Sequence, residues 1–474
     1  MSDLALMRGI SEEAGNPSTI VIRDRSSHTY EDIPSGIDSL SAGDELFVQL
    51  DMYATDRASA IKKLSATIGV IVYSVNSTTA PVVQAIAITG AGVLSLSGTA
   101  VPFATGASNF SPAVWYANRG GSNVSIGRLS DSVFVVFLKL QGRAEGYIRA
   151  GYVDGAGQVA MAGVGSESSG VYSPWIVGLD ATRFEYFLDV SYLAKTRRGT
   201  VDPSTYDTSI ESVALLGLWD LTGTQTSKVR ATLIDTDRVI ALGCGYTAAA
   251  PYWHLYACEV YDNAGTLTAG TLLAIDSALY LEDAASLGDI AILSSEDKTC
   301  LALYYADGFT QIAELTINAD HTITLGTPVE VDTGLSGQME LAHIIDNYVA
   351  GIYRPSTGSS HTQNTLQVFI AEKYEALTIP EGFTVEGNGG DLINAAATLS
   401  LMGSLYPTAL FVDTTSADGY LQTFPCTQGT GGITDTCVGL IRIRAQREDD
   451  FTIGSHKQSG GVDVEQLVEF LPGG

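Results

Sequence analysis

Apolar and polar residues alternate with a period of two along most of the chain, and β-branched and aromatic side chains dominate the apolar positions. That is the pattern of strands with two unlike faces. Signals of helical period are sparse. One local motif recurs six times: a leading apolar residue, a short polar turn, then a strand closing on an aromatic or aliphatic side chain. The copies are Leu64–Tyr73, Leu129–Phe137, Leu179–Phe187, Ile234–Leu242, Leu293–Tyr304 and Ile345–Tyr353. Their turn residues Ser65, Ser130, Asp180, Asp235, Ser294 and Asp346 are separated by 65, 50, 55, 59 and 52 positions, about 56 on average. A polar loop, a second strand, a Gly-containing turn and a third strand follow each copy. Tyr256–Ala274 and Ile312–Val331 show this second half most cleanly, with Asn263–Thr271 aligning on Asn318–Thr327, and Ile86–Phe103 repeats the theme.

Each repeat therefore holds about four strands, one blade of a β-propeller. A lone four-stranded blade buries neither face, whereas radial stacking covers both and leaves only short edges. The expected fold is all-β: six four-stranded blades over residues 45–380, with room for a seventh assembled from the termini, since Thr19–Ile22 also reads as a strand. Residues 1–44 read as an N-terminal arm. Residues 381–474 leave the repeat and read as a small β-rich cap for docking or oligomerisation. One short helix is expected there at Asp391–Leu405, with strands at Ala409–Asp413, Leu421–Phe424 and Val438–Arg444.

Charge narrows the partners. Twenty-five Lys and Arg against 53 Asp and Glu give −28 in 474 residues. Nucleic-acid binding rests on Lys and Arg neutralising phosphates, and anionic membranes ask for the same, so neither is expected. No apolar run reaches the ~20 residues of a membrane span. The N-terminus, Met1–Arg8, lacks the basic and apolar regions of a signal peptide, so export by that route is not expected. Five cysteines make no disulfide framework. Cys244, Cys258 and Cys300 lie in apolar strand text as small buried hydrophobes. Cys426 and Cys437 flank a hairpin-like loop and, if they face each other, can bridge once outside a reducing cell.

Catalytic signatures are missing. The histidines (His28, His254, His321, His343, His361, His456) are scattered, and no nucleophile elbow, Walker loop or dinucleotide fingerprint occurs. No enzyme, cofactor or metal site is expected. A surface calcium held by loop carboxylates is the one option left open, Asp235-Thr236-Asp237 and Tyr261–Gly265 being the runs that suggest it. The Ser and Asp turn residues read as side chains that bond the backbone of the first turn in each blade. Three segments after the core strands stand out as loops: Lys195–Asp207, with the basic cluster Lys195-Thr196-Arg197-Arg198 and Tyr206; Cys244–Leu255, with Tyr252, Trp253 and His254; and Arg354–Thr362, with His361. Aromatic and Arg side chains on loops of a rigid scaffold suit recognition, which makes Arg197, Arg198, Tyr206, Tyr252, Trp253, His254 and His361 candidate ligand contacts. The competing reading packs Trp253 between blades and pairs Arg197 and Arg198 with neighbouring acids.

The repeat unit, closing on Ile-Thr-Leu-Gly-Thr-Pro-Val-Glu-Val at Ile323–Val331, resembles the propeller-like repeats of tailed-bacteriophage virion proteins: tail fibres, receptor-binding adhesins and head fibres. The resemblance covers residues 45–380. It implies a structural virion protein, assembled in the host cytoplasm and carried on the particle exterior as a homo-oligomer or docked subunit. Partners would be other virion proteins, through the terminal segments, and a host surface glycan or protein. The alternatives are a purely architectural capsid or tail decoration protein, and a propeller-type glycoside hydrolase or lyase.

Overall fold

The computed structural model describes residues 60–386 apart from the loops at 74–80, 89–93, 104–123, 140–145, 168–173, 191–192, 212–215, 221–228, 248–251, 280–287, 307, 334–335, 346, 356–364 and 374–375. It also gives the backbone of strands within 8–47 and 398–468. Four short strands come first: β1 (Arg8–Ile10), β2 (Thr19–Arg23), β3 (Tyr30–Pro34) and β4 (Glu45–Phe47). Six antiparallel blades follow, each an up-and-down sheet in sequence order. Blade one is β5 (Ala60–Lys63), β6 (Ile68–Tyr73), β7 (Val82–Ile88) and β8 (Leu94–Pro102). Blade two is β9 (Val124–Arg128), β10 (Val133–Lys139), β11 (Gly146–Val153) and β12 (Val159–Glu167).

In the next three blades the outer strand is broken into two pieces that both pair with the third strand. Blade three is β13 (Trp175–Gly178), β14 (Arg183–Val190) and β15 (Leu193–Val201), edged by β16 (Thr208–Ile210) and β17 (Leu216–Asp220). Blade four is β18 (Val229–Asp235), β19 (Arg238–Thr247) and β20 (Tyr252–Asn263), edged by β21 (Thr266–Ala269) and β22 (Leu273–Leu279). Blade five is β23 (Asp289–Ser294), β24 (Thr299–Ala306) and β25 (Phe309–Ile317), edged by β26 (Ile323–Leu325) and β27 (Val329–Thr333). Blade six is β28 (Ser336–Ile345), β29 (Tyr348–Pro355), β30 (Thr365–Lys373) and β31 (Leu377–Glu386).

Second strands are buried on both faces, which explains why they read as unbroken apolar runs: Phe134–Leu138, Val239–Leu242 and Cys300–Leu303 are all sequestered. Each pair of neighbouring blades encloses its own apolar cluster, for example Val70, Val72, Phe134 and Val136 between blades one and two, and Ile240, Leu242, Cys300 and Ala302 between four and five. The described turn residues act as expected, Asp346 lying outside the described residues. Ser65 Oγ accepts the amides of Thr67 and Ile68, Ser130 Oγ those of Ser132 and Val133, and Asp180 Oδ1 those of Thr182 and Arg183. Each such bond satisfies a backbone donor the hairpin leaves open.

Blades one and six each bury a second apolar face. Ile61, Ile71 and Ile86 alternate with the residues that face blade two, and Ala350, Ile352 and Ile370 alternate with those that face blade five, yet all six are buried. A further four-stranded sheet covers this gap. It comprises β32 (Thr398–Met402), β33 (Tyr406–Asp413), β34 (Asp418–Thr423) and, after the small hairpin of β35 (Cys426–Thr427) and β36 (Gly432–Ile433), β37 (Gly439–Ile443). Strand β32 lies against both β28 and β5, the place a seventh blade takes. The termini also meet, β2 pairing with β3 and, in parallel, with β38 (Gln466–Val468), while β1 pairs with β4.

Three expectations need correction. The helix expected over Asp391–Leu405 is contradicted at Thr398–Met402, which is strand β32; the rest of that span lies outside the described residues. Ala395–Ala397 favour a helix locally, but the alternation Thr-Leu-Ser-Leu-Met pairs with β33, and pairing outweighs propensity. Lys195–Val201 is not a loop but most of β15, and Tyr252–Leu255 already belongs to β20.

Candidate functional site

Strand direction reverses at every turn, so two faces follow from topology. Turns between first and second strands, and between third and fourth, share one face. Loops between second and third strands share the other with the connections between blades.

The first strand of each blade is an open edge toward the axis, with backbone groups that no further strand pairs. One rung of side chains answers this. Ser125, Trp175, Arg230, Asp289 and Glu340 hold the same position on the first strands of blades two to six, opposite Phe137, Phe187, Leu242, Leu303 and Ile352. Ser125 Oγ accepts the Ile176 amide at 3.1 Å, Trp175 Nε1 donates to the Ala231 carbonyl at 2.8 Å, and Asp289 Oδ2 accepts the Leu341 amide at 2.8 Å. Each bond runs to the first strand of the next blade.

The same rung gathers charge. Arg230 lies over the Trp175 ring at 4.3 Å and sets Nη2 3.8 Å from Glu340 Oε1. Asp289, Arg230 and Glu340 are only 2%, 5% and 7% exposed. Burial pushes the Asp289 carboxyl above the usual carboxylate range, against the pull of Arg230, backbone amides and Lys62. Lys62, two residues nearer the hairpin of blade one than Ala60, is open to water yet encircled by protein. That encirclement lowers its pKa; Asp289 and Glu340 oppose the shift and Arg128 adds to it. Arg230, Asp289 and Glu340 thus bring one cation and two carboxylates from three blades to one rung.

A second charged network ties blades three to six together. Arg198, Glu259 and Glu314 occupy matching positions on third strands, their carbonyls each accepting an amide from the outer edge at Glu211, Gly270 and Gly326. Each reaches into the following blade: Arg198 Nη1 to Asp262 Oδ2 at 2.5 Å, Glu259 Oε2 to His321 Nδ1 at 3.0 Å, and Glu314 Oε2 to Lys373 Nζ at 3.0 Å. Arg198 also lies beside fully buried Glu185, Nε to Oε2 at 3.5 Å, while Thr196 donates its hydroxyl to Glu185 Oε1 at 2.9 Å. Burial raises the Glu185 pKa to about 7 despite these partners.

The sequence-stated candidates separate accordingly. Arg198 is spent on Glu185 and Asp262, and Arg197 sits beside it mid-strand. Tyr206, at φ 59°, closes a turn on the opposite face from the second-to-third-strand loops and packs on Tyr152 with ring centroids 4.5 Å apart. Tyr252, Trp253 and His254 begin β20 where the 248–251 loop delivers the chain. His361 lies outside the described residues, but its flanking strand ends, Pro355 and Thr365, belong to that same loop face. Cys426 starts β35, and Cys437 lies outside the described residues. Cys258 and Cys300 are buried free thiols.

The acids that suggested calcium are engaged by cations: Asp235 by Lys298 at 2.5 Å, Asp237 by Arg183 at 2.7 Å and Asp262 by Arg198. Among the described residues no three His, Cys, Asp or Glu side chains gather as a metal would need, and no helix is long and apolar enough to cross a membrane. The axial rung was missed in the sequence. Its signal is a residue with a hydrogen-bonding side chain (Ser125, Trp175, Arg230, Asp289, Glu340) five or six positions before the turn residue of blades two to six.

No protein-family model and no curated protein matches the sequence. Among solved structures, the chain is similar to a protein from Lactobacillus plantarum, with 12% identity and a TM-score of 0.47 over 76% of this chain and 94% of that one. It is similar to the Aleuria aurantia lectin, with 10% identity and a TM-score of 0.40 over 70% of this chain and 98% of the lectin. It is also similar to a Hadza microbial sialidase, with 9% identity and a TM-score of 0.38 over 77% of this chain and 65% of the sialidase. Solved structures that resemble the chain therefore include a lectin and a glycosidase, and likeness at this level says nothing of activity.

Proposed function

We propose that the chain is a non-enzymatic binding propeller: a structural component on the exterior of a tailed-phage virion, docked to other virion proteins through its terminal segments. In this reading the loop face contacts a host surface glycan or protein. The observation that supports it is the division of labour between the faces. On the turn face, Arg183 engages Asp180 and Asp237, Lys298 engages Asp235, and Arg198 reaches Asp262 from within the sheet. Tyr252, Trp253 and His254 open β20 on the loop face, to which the strand ends flanking residues 356–364 also belong. Recognition is therefore assigned to Trp253, His254 and the 356–364 loop, and no longer to Arg197, Arg198 and Tyr206.

Binding of the full chain to host cells and to a glycan array tests this. Trp253→Ala, His254→Ala and replacement of 356–364 by a Gly-Ser segment are each expected to lower binding at least tenfold with an unchanged unfolding midpoint. Wild-type binding by all three would refute the assignment. A propeller-type hydrolase is the competing reading, favoured by the paired axial carboxylates Asp289 and Glu340. Turnover of aryl glycosides that disappears in Asp289→Asn would decide for it.

A further inference from the structure

We propose that Glu185 is a proton-controlled switch in the joint between blades three and four. With a proton on Glu185, Arg198 serves Asp262 of blade four; with Glu185 ionised, Arg198 is drawn back onto β14 and the joint loosens on the turn face. A count of protons supports this. Thr196 Oγ1 stands 2.9 Å from Glu185 Oε1 and 3.0 Å from the Tyr186 carbonyl, yet a hydroxyl has one proton to donate. A proton on Oε1 reverses the bond to Glu185 and frees the Thr196 hydroxyl for the carbonyl, so that both contacts are met. The second carboxyl oxygen fits the same state. Glu185 Oε2 and Arg198 Nε face each other at 3.5 Å, and neither has a hydrogen-bond partner. A guanidinium beside an ionised carboxylate closes to about 2.7–2.9 Å.

Arg198 is the moving part. Its Nη1 donates to Asp262 Oδ2 at 2.5 Å and its Nη2 to the Asp237 carbonyl at 3.4 Å, so it clasps both turns of blade four at once. The Asp262 amide donates to that same carbonyl at 3.2 Å. When the Glu185 proton leaves to water, a bare buried carboxylate oxygen is costly unless a donor meets it. Arg198 Nε is the donor at hand, and closing the 3.5 Å gap pulls the guanidinium toward its own blade. Burial raises the Glu185 carboxyl to about 7, so the two states exchange near neutral pH. Of the other groups around the pair, β13 sets Val177 opposite Glu185, and Glu211 at the outer edge of blade three works against ionisation. Arg183 is held by Asp180 and Asp237 at 2.6 and 2.7 Å.

The switch does not depend on the recognition role of the loop face. It is tested on the full chain by amide hydrogen exchange at pH 6 and pH 8, expressed as protection relative to the intrinsic rate at each pH. Protection of the Asp262–Gly265 turn should fall at least fivefold between the two, while the corresponding turn of blade two, Asp154–Gln158, stays constant. Glu185→Gln, which keeps the shape and carries no charge, should hold the pH 6 protection at both values. Asp262→Asn, at the edge of the turn, takes away the partner of Arg198 in blade four and should give the low protection at both. Equal wild-type protection at pH 6 and pH 8 would overturn the switch, and so would a fivefold fall that persists in Glu185→Gln. If Glu185→Gln does not fold, Asp262→Asn decides: a fall equal to that of the wild type would place the cause elsewhere.

Discussion

Glycine facing phenylalanine across two strands is a recurrent unit of this fold. Gly151 lies opposite Phe134, Gly199 opposite Phe184 and Gly351 opposite Phe369. In each pair the ring covers the space a Cβ would occupy: a Cβ on Gly199 would stand 2.3 Å from Phe184 Cζ, and one on Gly351 2.2 Å from Phe369 Cζ. Gly199→Ala should therefore destabilise the protein by about 1–3 kcal/mol through overpacking. Phe184→Ala should cost roughly 3–5 kcal/mol through a cavity. Because the two share one space, the double variant should cost less than the sum, read by urea unfolding; strict additivity would mean the ring does not fill the glycine's space. Glycine appears in the sequence as turn punctuation, and these positions look like weak points of strands. Only the register shows them as sockets.

Strands and their order were legible in the sequence because the period of two and the spacing near 56 are local properties. What a strand's side chains meet is not local. Lys195–Arg198 reads as a solvated basic loop, yet Ala194, Thr196 and Arg198 alternate into the interior of β15. The partners that make this tolerable are Glu185 on the adjacent strand and Asp262, 64 positions away in the next blade. The element's pH response follows from the same contacts. Glu185 is opposite Val177 on β13 and Arg198 on β15, accepts from Thr196, and lies in the field of Glu211. Its folded pKa, about 7, lies above the ordinary 4.5, so between those values the folded chain holds a proton that the unfolded chain has released. Stability should thus fall as pH rises from about 4.5 to 7, by on the order of 3 kcal/mol from this group, and level off above. Asp180 and Asp262 have lowered pKa values, so their contribution is lost only on acidification below the usual carboxylate range, outside this window. Unfolding free energies of Glu185→Gln measured from pH 4.5 to 8 should lack that slope. A slope equal to wild type would assign it to other groups.

At the scale of the whole ring, what matters is that no blade can keep an apolar face open. Five of the inter-blade spaces are filled by clusters drawn from both neighbours, and the last space is bounded by Ile61, Ile71 and Ile86 on one side and Ala350, Ile352 and Ile370 on the other. The repeat counted from the sequence stops at six, because the closing sheet carries its own turns and an inserted hairpin and so breaks the spacing. Its strand β32 lies against both β28 and β5, at the space between blades six and one. Uncovering five isoleucines removes on the order of 10 kcal/mol of burial, which is comparable with the entire stability of a typical domain. A chain ending at Glu386 should therefore not persist as a closed monomer. It should bind a hydrophobic dye, sediment as oligomers and lose its cooperative unfolding transition. A truncated chain that stays monomeric, dye-silent and unchanged in midpoint would show that blades one and six close on each other and that the C-terminal sheet is an accessory. Between those outcomes lies the difference between a ring closed by its own C-terminal sheet and a six-bladed ring that merely carries one.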